Sequence, residues 1–180
     1  RNGVDVQDEQ AVSARCGEAD VRVAYRDGAQ RTMLGGEDVS DLIRTGEVSA
    51  AASAISKWPA VRRRMVAAQR EIAATADMLI DGRDIGTRVL IDAPVKIFLT
   101  ATPEERARRR YRQQIEKGDM TPYEQVLAEL NARDAQDMNR ETDPLRQAED
   151  AVLVDSTNMT PEQVVDAIIA VVEDVYGKRA

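Results

Sequence analysis

The pattern of hydrophobic positions along the chain changes near residue 77. Before that point the apolar runs are short and interrupted. Residues 20–26 and 29–34 alternate apolar and polar side chains on either side of Asp27-Gly28, a dipeptide that suits a tight two-residue turn. This arrangement predicts a β-hairpin.

Two helices are predicted after the hairpin. Residues 47–57 predict a helix that ends before Trp58-Pro59, because a proline disfavours helical geometry in the residue before it. Pro59 suits the first turn of a second helix, over residues 59–75. Together with the hairpin, these helices predict a small α+β subdomain with connecting helices over residues 1–76.

Residues 77–180 have the pattern of an α/β domain. Residues 78–81, 94–100 and 151–155 are short apolar runs, which are typical of strands buried on both faces. Helical stretches separate the last two runs, and this order predicts a parallel sheet with right-handed crossovers. Because sheets average about 5–6 strands, we expect further strands upstream of Arg1 that this chain does not include.

Three helices of this region share a start signal, in which a threonine can cap the helix and a proline occupies the first helical position. The three signals are Thr102-Pro103, Thr121-Pro122 and Thr160-Pro161. The last helix is predicted to have one apolar face. That face consists of Val164, Val165, Ile168, Ile169, Val172 and Val175.

Composition narrows the chemistry. The chain has a net charge of −7, which argues against general binding to nucleic acid or to membranes. Cys16 is the single cysteine, so no internal disulfide forms, and there is no histidine for acid–base catalysis. No apolar run reaches the roughly 20 residues of a membrane span. We therefore expect a soluble, cytoplasmic protein that works by positioning and by neutralising charge.

The first candidate site is the DGRDIGT segment at residues 81–87, which directly follows a predicted strand. Ligands of open α/β sheets bind at the carboxyl ends of strands, so Arg83 and Asp84 are well placed. The two glycines allow a tight turn and close approach to a ligand. An ordinary turn with a surface ion pair accounts equally for this segment alone.

A second candidate is formed by Arg133, Asp137 and Arg140. Offsets of 0, 4 and 7 place the three side chains on one narrow face of a helix. An aspartate between two arginines can fix both side chains or accept hydrogen bonds from sugar hydroxyls. A solvated ladder of salt bridges has the same spacing.

The third candidate is a cluster of arginines on the helix that begins at Pro103. Five arginines fall within seven residues, and their mutual repulsion suggests selection for phosphate binding. They are Arg106, Arg108, Arg109, Arg110 and Arg112. A basic, solvated helix face is the alternative. Ser53 and Arg62, on either side of the Trp58-Pro59 break, mean little by themselves.

Taken in this order, these segments resemble the bacterial cytidylate kinases, a family of nucleoside monophosphate kinases. The resemblance extends over essentially the whole chain and is strongest from Met78 to Asp155. It rests on DGRDIGT, DAPVKIFLTATPEERARRR, ARDAQDMNR and AVLVDST, and on GEDVSDLIRTGEVSAAASAISKWPAVRRRM upstream. It implies an α/β fold in which helices flank a parallel sheet and an inserted α+β subdomain binds the nucleotide.

The resemblance also implies a reaction and the residues that bind its substrate. Members phosphorylate CMP and dCMP with ATP and Mg²⁺. By resemblance, Ser53, Arg62 and Asp84 contact the edge of the cytosine. Arg83, with Arg62 and Arg133, holds the monophosphate.

Further roles concern the ribose and the transferring phosphate. By resemblance, Asp137 binds the ribose hydroxyls and is anchored by the two arginines on its helix face, of which Arg140 also reaches the transferring phosphate. Arg109 and Arg110 neutralise charge in that group. Residues 106–125 form a lid that closes over ATP, and the complete enzyme is expected to be a monomer.

One motif of the family is missing. Its members open with a strand and a G-x-x-x-x-G-K-[ST] loop that cradles the ATP phosphates. The motif does not occur in these 180 residues. We therefore expect a truncated chain that does not phosphorylate CMP alone, and the residues that hold the ATP phosphates stay unassigned.

Two alternatives to a cytidylate kinase remain open. One is a monophosphate kinase with a different base preference, and the other is a non-catalytic nucleotide-binding module that never had the loop. Unpaired apolar sheet faces argue against the second alternative, because natural domains cover such faces.

Overall fold

The computed structural model describes residues 3–177. The chain divides into two compact units between Ile80 and Asp81, a few residues after the change in hydrophobic pattern near residue 77. The two units are described separately.

The first unit contains the predicted hairpin. Strand β1 (Val21–Arg26) pairs antiparallel with β2 (Ala29–Leu34), and β2 pairs with the short β3 (Glu37–Asp38). The turn residues Asp27 and Gly28 have φ angles of 51° and 75°. Both angles are positive, as the tightest hairpin turns require, so the prediction from this dipeptide is confirmed.

Helices form the rest of the first unit. They are α1 (Glu9–Glu18), a 3₁₀ turn (Leu42–Arg44), α2 (Gly46–Ile55) and α3 (Pro59–Ala73). Thr45 caps α2 by accepting a hydrogen bond from the backbone N–H of Val48. The predicted break at Trp58-Pro59 is confirmed, because α3 begins at Pro59.

The second unit alternates strands and helices. A π-helical turn (Ile85–Val89) is followed by β4 (Ile97–Thr100), α4 (Pro103–Glu116), α5 (Tyr123–Asn139), β5 (Val152–Asp155) and α6 (Pro161–Tyr176). Strands β4 and β5 are parallel, with Ile97 opposite Val152 and Thr100 opposite Asp155. Two of the three predicted strands and the parallel arrangement are thus confirmed.

The third predicted strand is not found. Residues 78–81 have no strand structure, and Leu79 is 84% exposed. An apolar run becomes a strand only when a neighbouring strand pairs with its backbone. Within residues 3–177, the parallel sheet consists of β4 and β5 alone.

Two of the three predicted helix starts are confirmed. Thr102 caps α4, and Thr160 caps α6 in a reciprocal pair with Gln163. The third is wrong, because α5 begins at Tyr123 and Pro122 is extended. The preceding Thr121 instead donates its N–H and its hydroxyl to the carboxylate of Asp119, and these bonds hold it in a turn.

Helices α4 and α5 form an antiparallel hairpin with the best-buried side chains of this unit. Ala107 is 0% exposed and Val126 is 1% exposed. The rings of Tyr111 and Tyr123 pack edge to face, with centroids 6.1 Å apart. The predicted apolar face of α6 is only partly covered by the residues described: Val164 and Ile168 are half-buried, whereas Val165 is 53% exposed.

The hairpin core gives a first prediction. Val126→Ala removes two buried methyl groups and leaves a cavity, so we expect the free energy of unfolding to fall by about 2 kcal/mol. Val165→Ala, the same change at an exposed position, is expected to alter it by less than about 0.5 kcal/mol. Urea denaturation followed by circular dichroism measures both. Equal losses from the two variants would show that Val126 does not lie in the core.

Candidate functional site

A turn of unusual geometry carries the first part of the site. The carbonyl of Asp84 accepts hydrogen bonds from the N–H groups of Arg88 at 2.9 Å and Val89 at 3.3 Å. Gly82 lies against this turn, and a Cβ at that position would be 2.8 Å from Cγ1 of Ile85. A larger residue here would therefore force the Ile85 side chain to move, and π-helical turns of this kind are frequent at functional sites.

A buried lysine, Lys96, packs against the same turn. The side chain of Lys96 is 7% exposed, and its Nζ donates to Oδ2 of Asp150 at 2.6 Å and to the carbonyl of Ile91. A Cβ on Gly86 would lie 3.4 Å from Cδ of this lysine. The hydrogen bond from Lys96 also lowers the pKa of Asp150. The turn is thus packed directly onto the start of β4.

Asp137, near the end of α5, is the centre of the site. Its Oδ2 accepts a hydrogen bond from Nε of Arg83 at 3.0 Å. Its Oδ1 lies 3.8 Å from NH1 of Arg140. The Asp137 side chain is 14% exposed, whereas that of Arg83 is 45% exposed. The carboxylate is therefore fixed in place, and part of the Arg83 guanidinium faces solvent.

Arg140 joins this cluster to Asp84. Its NH2 lies 3.9 Å from Oδ1 of Asp84, and both side chains are mostly buried, at 12% and 15% exposed. This distance and the 3.8 Å to Asp137 exceed hydrogen-bond length. The buried NH2 group has no hydrogen-bond partner within residues 3–177. Such a donor is expensive to leave unpaired, and a bound ligand can satisfy it.

The predicted helix face is wrong in one respect. Helix α5 ends at Asn139, and Arg140 already has extended backbone geometry, with φ −65° and ψ 144°. Beyond the end of the helix, the N–H of Leu145 takes up the carbonyl of Asp137 at 2.8 Å. Asp137 therefore has its ion pairs with Arg83 and Arg140, while Arg133 is exposed on α5.

Some arginines of the cluster on α4 form hydrogen bonds within the protein, and others are exposed to solvent. Arg106 donates to Oδ2 of Asp134 at 2.6 Å and ties α4 to α5. Arg109 donates to the hydroxyl and the carbonyl of Ser156, at 3.1 and 2.5 Å, just beyond β5. Arg110 and Arg112 are exposed.

Glu105 holds two of these arginines. It forms ion pairs with Arg108 at 2.7 Å and with Arg109 at 3.1 Å. Burial of the carboxylate opposes its ionisation, but the hydrogen bonds from Arg109 and Arg108 outweigh that effect and lower the pKa of Glu105. The expected repulsion within the cluster is thus relieved mainly by a carboxylate one turn away.

Sequence reasoning missed Asp134 and Ser156. Ser156 is 3% exposed, and its hydroxyl donates to the carbonyl of Thr100, so it links the ends of β4 and β5. Neither residue belongs to a periodic pattern. Only the proximity of α4 to α5 and to the end of β5 reveals their role.

The carboxyl end of β5 is also organised. Asp155 accepts from the hydroxyl of Thr157 at 2.5 Å and from its N–H at 2.9 Å, and these two bonds lower the pKa of Asp155. The loop borders an open cavity of about 400 Å³, which is lined by Asp155, Thr157, Asn158, Met159 and Gln163. Strand ends of this kind are the usual ligand position in α/β sheets.

Two predicted site residues belong to the first unit. Ser53 is half-buried on α2, and its carbonyl accepts a hydrogen bond from the hydroxyl of Ser56. Arg62 is half-buried on α3, in the first turn after Pro59. The other predicted residues that contact one another all belong to the second unit. They are Arg83, Asp84, Asp137 and Arg140.

Within residues 3–177, no group of three histidine, cysteine, aspartate or glutamate side chains is arranged to hold a metal ion. In the same range, no helix has the length and apolar character that crossing a bilayer requires.

Comparisons with known proteins agree with the resemblance in the sequence. The family model described as cytidylate kinase matches residues 1–174. A cytidylate kinase of Mycobacterium avium is 50% identical over 167 residues, which cover 92% of this chain and 73% of the relative. One from Syntrophotalea carbinolica is 43% identical over 97% of this chain and 74% of its own length. One from Geobacillus thermodenitrificans is 44% identical, covering 97% and 78%.

Glu105 gives a prediction about pH. Because its pKa is lowered in the folded protein, its stabilising effect is fully present above the unfolded pKa of about 4.3 and disappears as pH falls through the folded value. The unfolding free energy of wild type should therefore exceed that of Glu105→Gln by a constant amount between about pH 5 and about pH 7.

The difference should shrink in more acidic solution. Urea denaturation of both proteins at a series of pH values measures it. A difference that grows on acidification would contradict the ion pairs of Glu105 with Arg108 and Arg109.

Proposed function

The chain belongs to the cytidylate kinase family, and on that premise we propose that its site serves the transfer of the terminal phosphoryl group of ATP to CMP and dCMP, forming CDP and dCDP. An oxygen of the monophosphate attacks the terminal phosphorus, and ADP leaves. Transfer of this kind depends on positioning and on cationic stabilisation of dispersed charge. A chain without histidine but with clustered arginines suits that chemistry.

The observation that carries the proposal is the unpaired donor of Arg140 beside Asp84 and Asp137. A phosphate or hydroxyl oxygen placed there would accept from NH2 of Arg140. Arg83 presents a partly exposed guanidinium to the same ligand. Arg133, exposed one turn earlier on α5, is assigned to the phosphate on the resemblance alone.

Asp137 is proposed to bind the ribose. Its carboxylate is held by Arg83 and Arg140 and needs no further rotation to accept a hydrogen bond from a ribose hydroxyl. The entropy of ordering this side chain is therefore spent on folding rather than on binding, which favours affinity.

Asp84 is proposed to read the base, together with Ser53 and Arg62 of the first unit on the strength of the resemblance. A carboxylate accepts a hydrogen bond from the exocyclic amino group of cytosine. Uracil has a carbonyl oxygen at that position, and two acceptors facing each other repel. Asp84 would thus favour CMP over UMP.

Arg109 and Arg110 are proposed to stabilise the transferring phosphoryl group. Arg109 now contacts Ser156 and Glu105, so reaching a phosphate requires it to exchange the contacts with Ser156. Arg110 is exposed on the same helix. The connection between α4 and α5 lies within residues 106–125, and we propose that this segment moves as the lid.

Mg²⁺ is proposed to enter with ATP. In kinases the ion keeps several waters and is held by substrate phosphates with one or two carboxylates. The lack of a three-ligand cluster within residues 3–177 is compatible with that mode. When bound, the ion would neutralise charge on the phosphates.

Equilibrium binding tests the substrate assignment without depending on turnover. We expect isothermal titration calorimetry to show CMP binding at least tenfold tighter than UMP, because a site built to hydrogen-bond an amino group rejects an analogue without it. AMP has an amino group but a larger, two-ring base, and we expect it also to bind about tenfold more weakly than CMP. Asp84→Asn should reduce the preference for CMP over UMP about tenfold, since its amide can also donate to uracil.

Matched variants serve as controls. Asp92→Asn makes the same charge change at an exposed position of the second unit and should keep the preference. In the first unit, Arg62→Ala should change the ratio of CMP to UMP affinity, and its exposed neighbour Arg63→Ala should not. Wild type that binds UMP or AMP as well as CMP would point to a kinase of other base preference. Lack of binding to all three would refute the assignment.

A further inference from the structure

Asp143 is a residue outside the predicted site that contacts Arg140. Its carbonyl accepts a hydrogen bond from Nε of Arg140 at 2.6 Å. Its Oδ1 lies 3.4 Å from Nε of Arg88 in the π-helical turn. The Asp143 side chain is 20% exposed, so the residue is largely enclosed.

The backbone of Asp143 has an uncommon conformation. Its φ angle is 49°, in the left-handed region that residues other than glycine adopt uncommonly. This conformation turns the carbonyl toward Arg140. Strain of this kind persists only where surrounding contacts enforce it, and it concentrates at functional sites.

The contacts form a closed ring of four residues. Asp84 accepts through its carbonyl from the N–H of Arg88 at 2.9 Å, Arg88 pairs with Asp143, and Asp143 accepts from Arg140. Arg140 completes the ring at 3.9 Å from Asp84. The loop after α5 is thus tied to the turn that carries Asp84.

Within this ring the orientation of Arg140 depends on Asp143. The two carboxylates near Arg140, those of Asp84 and Asp137, lie beyond hydrogen-bond length at 3.9 and 3.8 Å. The carbonyl of Asp143, at 2.6 Å, is within that length. Holding Nε leaves both terminal nitrogens of the guanidinium directed at the two aspartates.

We propose that Asp143 is a positioning residue for nucleotide binding. Its left-handed backbone presents the carbonyl that orients Arg140, and its carboxylate, paired with Arg88, secures the loop to the Asp84 turn. The inference rests on the proposed function, in which Arg140 binds the nucleotide. Asp143 acts through Arg140 and contacts no substrate itself.

Two substitutions separate the backbone from the side chain. Asp143→Gly and Asp143→Val both remove the carboxylate. Glycine adopts a positive φ readily, whereas a β-branched side chain strongly disfavours it. The glycine variant therefore keeps the carbonyl directed at Arg140, and the valine variant displaces it.

The first readout is the Nε–H signal of Arg140 in a ¹⁵N–¹H NMR spectrum, which needs no nucleotide. We expect slow exchange of this proton with water in wild type and in Asp143→Gly, and fast exchange in Asp143→Val.

The second readout is the affinity for CMP by calorimetry. We expect about tenfold weaker binding for Asp143→Val, the scale of one lost hydrogen bond to a charged group. We expect at most about threefold weaker binding for Asp143→Gly, which loses only the ion pair with the half-exposed Arg88.

The chain contains a matched control for backbone strain. Asp27, in the turn between β1 and β2, has a φ angle of 51° and belongs to the first unit. Asp27→Val introduces the same strain there and should change neither the Arg140 signal nor the affinity for CMP. If Asp143→Val does not fold by circular dichroism, Asp143→Ala replaces it, with the same expected direction.

Slow exchange of the Arg140 proton in Asp143→Val would overturn the proposal, as would equal loss of CMP affinity in the glycine and valine variants. Failure of the proposed function has a different signature. In that case wild type does not bind CMP, yet the exchange of the Arg140 proton still separates the two Asp143 variants.

Discussion

The carboxylate of Asp137 is the constraint on which the candidate site depends. It lies between Arg83, which donates to it at 3.0 Å, and Arg140, whose NH1 is 3.8 Å away. A mostly buried carboxylate is tolerated because positive charge surrounds it. In return it keeps two guanidinium groups close together, which their mutual repulsion would otherwise oppose. The ion pairs that stabilise this part of the fold are therefore the same ones that we propose bind the substrate.

Local signals predicted local structure well. The Asp27-Gly28 turn and the start of α3 at Pro59 follow from backbone preferences of single residues, so the sequence alone was sufficient. The apolar run at 78–81 was mistaken for a strand because a strand needs a partner, and hydrophobicity does not show whether one is available. The sequence predicted part of the ion pairing around Asp137, and the assignment of these residues to a nucleotide site stays a prediction.

Helical spacing placed Arg133 and Arg140 on either side of Asp137. The helix ends at Asn139, yet Arg140 still lies 3.8 Å from Asp137, and the second ion pair comes from Arg83 rather than from Arg133. The end of a helix depends on tertiary contacts, which helical spacing does not show. The role proposed for Asp143 could not be predicted either, because its backbone angle and its contact with Arg88 have no sequence signature.

The central claim is that the arginines around Asp137 bind the phosphate of a cytidine nucleotide. The most direct measurement is calorimetric titration of wild type and Arg83→Gln with CMP and with cytidine, which lacks the phosphate. The account predicts that wild type binds CMP at least tenfold more tightly than cytidine, because charge-assisted hydrogen bonds to phosphate are strong. It also predicts that Arg83→Gln narrows that ratio. Equal ratios in the two proteins would contradict it.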